Sequence, residues 1–174
     1  MNTLLTPQRV KEIQVLANQI LAETPSGLGQ FERLIQIAND HGIKIMQSDL
    51  SEISGALRKE KDGWVIYVNT SDSTKRQLFT IAHELGHFFV HKEDCDEFID
   101  GQLISRNEQE KYALKELEAN EFAGNLIMPE ELVRSRVTGQ ITVETLQLLA
   151  KSFGVSTMAM EIRLRNLGYD LALK

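Results

Sequence analysis

Phe79-Thr80-Ile81-Ala82-His83-Glu84-Leu85-Gly86-His87 is the stretch that decides the reading of this chain. Side chains four apart lie one above the other on a helix, so His83 and His87 can offer two imidazoles to one metal ion. Glu84 sits about 100° round the helix from His83, beside the ligand line but not on it. A carboxylate there can take a proton from metal-activated water, which is the division of labour in zinc hydrolysis. Histidine is scarce, four in 174 residues, so two unrelated histidines meeting this pattern by accident is a poor alternative. The setting agrees. Leu78, Ile81, Ala82, Leu85, Phe88 and Phe89 form an apolar stripe at helical spacing, and Thr74 with Gln77 three places on predicts a capping box at the start. Gly86 inside that helix costs about 1 kcal/mol relative to alanine, which predicts that a strand or a bound substrate approaches the backbone there.

A site with two histidines needs a third protein ligand and one open position. Residues 106–128 read as a second long helix, introduced by Ser105 with Glu108 and stopped by Pro129. It carries Glu116, Glu118, Asn120 and Glu121. Glu116 and Asn120 share a face, which suits a ligand carboxylate beside an amide that hydrogen-bonds the second nitrogen of a ligating histidine. Glu118 points elsewhere, so helix geometry favours Glu116 as ligand, although a solvated face is the ordinary state of such carboxylates. His91 continues the line from His83 and His87, but two turns of about 11 to 12 Å rise keep it out of the same coordination shell. It reads as a helix-end residue, or as a contact to a ligand or to substrate. Tyr67, Tyr112 and His91 are candidate oxyanion donors, though aromatic residues in sheets and helices are ordinarily packed.

Ordered blocks surround the motif: Trp64-Val65-Ile66-Tyr67-Val68-Asn69 before it, then Glu116-Leu117-Glu118-Ala119-Asn120-Glu121-Phe122-Ala123 and Leu126-Ile127-Met128-Pro129 after it. Together they resemble the ImmA/IrrE family of metallopeptidases, over about residues 31–169 and most specifically over 64–129. The resemblance implies a zincin-like fold with a gluzincin-type site: His83 and His87 as Zn2+ ligands, Glu84 as base, and Glu116, four before Asn120, as third ligand. Mn2+ or another divalent ion is compatible with such donors. Family members characterised as proteases cleave a helix-turn-helix repressor. The resemblance therefore implies a zinc-dependent endopeptidase acting on a helix-turn-helix transcriptional repressor of a mobile element, prophage or stress circuit. The alternative is a metal-containing regulatory adaptor, or a toxin–antitoxin component, that binds protein or DNA without proteolysis.

Outward from the site, Thr6-Pro7 predicts an N-cap with proline at the first helical position, and Val10, Ile13, Ala17, Ile20 and Leu21 continue a helical stripe. A second helix over residues 30–40 stops at His41-Gly42, which makes His41 a helix-end residue. Residues 43–47, 55–59 and 64–69 read as three strands of a small antiparallel sheet, with 55–59 a candidate edge for holding an extended substrate. The acidic segment 92–107 predicts a flap or a short packed turn, and its charge attracts a basic substrate segment. Residues 142–153 and 157–167 resemble a helix-turn-helix.

Charge separates the two ends of the chain. Of a net −6, residues 130–174 hold six Lys or Arg against five Asp or Glu, +1, which leaves −7 for residues 1–129. Arg163 and Arg165 can reach phosphate, yet so small a positive charge favours a structural or protein-binding role and makes direct DNA binding unfavoured. No run of eighteen apolar residues occurs, and the start lacks a signal-peptide pattern, so the expectation is a cytoplasmic protein with no membrane span. Cys95 stands alone, which excludes an internal disulfide and reads as an incidental loop thiol. The expected architecture is α+β and zincin-like. N-terminal helices, the small sheet, the HExxH helix and the Glu-bearing helix form a metallopeptidase domain over 1–129, with a C-terminal helical subdomain over 130–174 packed on it.

Overall fold

The computed structural model describes residues 5–94, 96–99 and 109–172. Helix α1 (Pro7–Glu23) starts as its sequence predicts: Thr6 accepts the Arg9 N–H and proline occupies the first turn. Helix α2 (Gln30–Asp40) ends at His41, and Gly42 takes the positive φ of +69° that the reversal into the first strand needs.

The sheet contains β1 (Ile43–Ser48), β2 (Gly55–Glu60), β3 (Gly63–Asn69) and β4 (Glu97–Ile99), in the order β1-β3-β2-β4. It corrects the three-stranded antiparallel expectation in two ways. β2 and β3 form the antiparallel hairpin that the turn predicts, but β1 runs parallel to β3, from Ile43 opposite Trp64 to Ser48 opposite Asn69. The reason lies in hydrophobicity. β3 is buried or half-buried along its whole length and takes an inner position, whereas β1 exposes Lys44, Met46 and Gln47 and takes the rim. The second difference is β4, a three-residue strand within the acidic segment that pairs with Ala56, Leu57 and Arg58. β2 is therefore flanked on both sides there and is not the edge strand expected of it. Cys95 and residues 100–108, which include Ser105 and Leu103-Ile104, lie outside the described residues.

Helix α3 (Thr74–His91) lies on the sheet face that carries Leu57, Ile66 and Val68, with Trp64 edge-on to Phe88 at 5.8 Å. Its cap is Ser73, one residue earlier than expected, and Gln77 instead reaches back to the Asn69 and Asp72 carbonyls. Helix α4 (Gln109–Ile127) crosses α3 at Gly86, where a Cβ would lie 2.9 Å from the Ala119 Cα and carbonyl oxygen. The close approach expected at Gly86 is thus made by a helix backbone. Helices α5 (Glu130–Arg136), α6 (Val143–Ser152) and α7 (Thr157–Asn166) follow. One hydrophobic cluster runs from Ile13 of α1 through the fully buried Phe122 to Phe153 and Leu164. Buried Arg163 pins α7 to α4 by donating to the Met128 carbonyl at 3.0 Å and to Asn125 Oδ1 at 2.8 Å. Among the described residues no helix is long and apolar enough to cross a membrane.

Candidate metal centre

The i, i+4 spacing on α3 brings His83 Nε2 and His87 Nε2 to 3.1 Å from each other. From α4, Glu116 sets Oε2 3.3 Å from the first and Oε1 3.1 Å from the second. Ligands about 2.0 to 2.1 Å from a tetrahedral zinc lie roughly 3.3 Å apart, so this trio has the spacing of donors around one centre. Three groups that could hold a metal ion thus converge, both histidines buried and the carboxylate half-buried.

Electrostatics set the protonation that metal binding needs. Burial pushes the His87 imidazole down to about 4, against the smaller opposing pull of Glu116. Burial works to raise the Glu116 carboxyl, but its hydrogen bonds to His83 and His87 and their charges hold it well below the usual carboxylate range. At neutral pH the site therefore offers a neutral imidazole at His87 and an ionised carboxylate, the forms that bind a divalent cation.

Each histidine has a partner on its second nitrogen. Asn120 Oδ1 lies 3.1 Å from His83 Nδ1, the position helix geometry assigns it, and His91 Nδ1 lies 3.3 Å from His87 Nδ1. Glu118 faces away from the trio toward His91 and Arg9. Glu84 is 1% exposed and lies against β2, its Oε1 3.1 Å from where a Cβ at Gly55 would stand. The same Cβ would meet Thr80 Cγ2 at 2.3 Å, so only glycine lets β2 lie this close over the helix.

A cleft of about 470 Å³ opens at His83 and Glu116 of the trio, lined also by Ser54, Arg76, Phe79 and Thr80. A larger cavity of about 750 Å³ shares Phe79 and Asn120 with it and extends toward Gly124 and Ile162, away from the metal-ligating groups. The chemistry belongs to the smaller space. Arg76, whose Nε donates to Ser54 Oγ at 2.9 Å, was not singled out in the sequence, although 76, 80, 83 and 87 follow the helical period that would have placed it there. Tyr67 is not brought to the site. Ile66 and Val68 face α3, so by strand alternation Tyr67 faces the other way, and its hydroxyl donates to Glu60. Tyr112 donates to the Ile99 carbonyl at 2.8 Å.

Two histidines one turn apart, a glutamate from the neighbouring helix and a carboxylate between the histidines define a metallopeptidase-like protein of the HExxH class. The family model Peptidase_M78, described as the IrrE N-terminal-like domain, matches residues 38–165, and the chain belongs to this family. Metallopeptidase ImmA of Bacillus subtilis (strain 168) is 26% identical over 142 residues, 76% of this chain and 75% of that protein. A Mycobacterium tuberculosis transcriptional regulator shares the fold with a TM-score of 0.62 at 22% identity over 88% of this chain. The chain spans 46% of that protein's length.

Proposed function

We propose that this protein is a zinc-dependent endopeptidase whose substrate is a helix-turn-helix transcriptional repressor, which would place the reaction in the cytoplasm. The convergence of His83, His87 and Glu116 beside the buried Glu84 carries the reading. A divalent metal held there supplies a Lewis acid that acidifies water and polarises a peptide carbonyl. Glu84, next to the ligands but pointing to β2, takes the proton from water and returns it to the departing amine. Arg76 is a cation in the cleft wall and donates to the substrate carbonyl oxygen as charge develops on it. Residues 1–129 supply this machinery, and residues 130–174 form a helical subdomain that braces α4.

The C-terminal helices support protein binding over DNA binding. Arg163 is buried against Met128 and Asn125, and Arg165 is held by Glu161, so neither guanidinium stands ready for phosphate. The test is capture from host extract with Glu84→Gln and with the wild-type protein, both loaded with zinc. The expected result is a helix-turn-helix repressor held intact by the variant and recovered cleaved with the wild type. The same partner intact with both proteins, each carrying metal and the activating conditions of the host, would instead identify an adaptor.

A further inference from the structure

Behind His87 three polar side chains stand in one line, and their contacts fix where the protons along it sit. Arg9 of α1 lies 2.6 Å from Glu118 Oε1 through Nε and 3.1 Å from Oε2 through Nη2. Glu118 Oε2 is 2.6 Å from His91 Nε2, and His91 Nδ1 is 3.3 Å from His87 Nδ1. A guanidinium only donates and an ionised carboxylate only accepts, so the His91 proton must sit on Nε2, toward Glu118. In the neutral ring Nδ1 is then an acceptor, and His87 Nδ1 must be the donor that meets it. With a metal ion on Nε2 the two demands on the ring agree; without one, the Glu116 carboxylate 3.1 Å from His87 Nε2 competes for the same proton. Phe98 of β4 stacks on His87 at 4.6 Å and lies 6.0 Å from His91, closing the line on that side.

We infer that Arg9, Glu118 and His91 form a positioning relay that orients the His87 ring and accepts its Nδ1–H when Nε2 holds a metal ion. Helix α1 thereby takes part in the metal centre, through a residue 109 positions away from Glu118 in the chain. The relay rests on the proposed role of His87 as a metal ligand, and the zinc titration tests that role separately. His83 is oriented by the amide of Asn120. The relay thus reaches further than a helix-to-helix ion pair, which would steady α1 without bearing on His87.

The experiment is NMR of the histidine rings in the zinc-loaded full chain near neutral pH, paired with zinc titration against a competing chelator. Wild type is expected to show the His87 Nδ1–H resonance moved downfield by its hydrogen bond to His91. His91→Phe, which keeps the ring volume but removes the acceptor, should move that resonance upfield and weaken zinc binding roughly 10- to 100-fold. Glu118→Gln keeps an acceptor oxygen and should keep most of the wild-type resonance position and affinity, whereas Glu118→Leu should not. Arg9→Met tests the outer end with little risk to folding, because the Arg9 side chain is 38% exposed; a partial shift is expected. A His87 Nδ1–H resonance without a hydrogen-bond shift in zinc-loaded wild type, or an unchanged resonance and affinity in a folded His91→Phe protein, would overturn the relay alone. A wild-type chain that binds no zinc would overturn the metal reading and the relay with it.

Discussion

Gly86→Ala drives a wedge between the helices that carry His83, His87 and Glu116. The new Cβ would stand 2.9 Å from the Ala119 Cα and carbonyl oxygen, against 3.4–4 Å for ordinary contact, so α4 must retreat by about 0.5 Å or more. Glu116 lies three residues before Ala119 on the same rigid helix and moves with it. Its oxygens now stand 3.1 and 3.3 Å from the histidine nitrogens. Metal-ligand distances tolerate only about 0.2 Å, so the third ligand is stretched beyond its range and zinc affinity is expected to fall at least about tenfold. The fold survives the change. Overpacking costs about 1–3 kcal/mol, and alanine recovers about 1 kcal/mol of helix propensity, so the metal-free protein loses roughly 0–2 kcal/mol. Zinc titration against a chromophoric chelator, with circular-dichroism melting of the metal-free protein, reads both quantities. Zinc binding within about twofold of wild type at an unchanged melting temperature would refute the reasoning.

Acid should destabilise the metal-free protein over a definite window. The folded chain keeps His87 neutral down to about pH 4, while the unfolded chain takes up that proton near 6.5. Stability is therefore full above about pH 6.5 and lost progressively toward pH 4, by about 3 kcal/mol from this group alone. Glu116, held below its ordinary 4.5, adds a loss of the same sign as pH falls below that value. Equal urea midpoints at pH 7 and pH 4.5 would contradict this. Arg76→Ala should lower kcat/KM by about tenfold to a hundredfold, the worth of a hydrogen bond to developing charge, with metal content unchanged. Full activity in a zinc-loaded Arg76→Ala protein would take that side chain out of the reaction.

The parts of the molecule legible in the sequence are those governed by local periodicity. The cap and stripe of α1, the span of α3 and the shared face of Glu116 and Asn120 all follow from 3.6 residues per turn. The same arithmetic turned Glu118 away from the trio. The parity of β3 could equally have excluded Tyr67, since Ile66 and Val68 on either side of it are core residues. Other features depend on distant partners. Nothing near residue 43 signals that β1 will lie parallel to a strand beginning twenty residues later, because that order is decided by which strand is buried deepest. A strand of three residues such as β4 is too short to show a period. Nothing in the sequence around Arg9 marks it out, and only the folded chain places it on Glu118.

Helix α4 answers to three neighbours at once. Glu116 and Asn120 meet α3, Glu118 meets α1 and the end of α3, and Asn125 receives Arg163 from α7. Each residue turns such a helix by about 100° and advances it about 1.5 Å. Removing or adding one residue between Glu116 and Asn125 would swing one set of partners out of reach while leaving the other in place. This stretch should accept substitution but not a change of length, which makes it a fixed ruler between the chemistry at one end and the C-terminal helices at the other. The turns at 24–29 and 137–142 bear no such phase, and length variation among relatives should collect there.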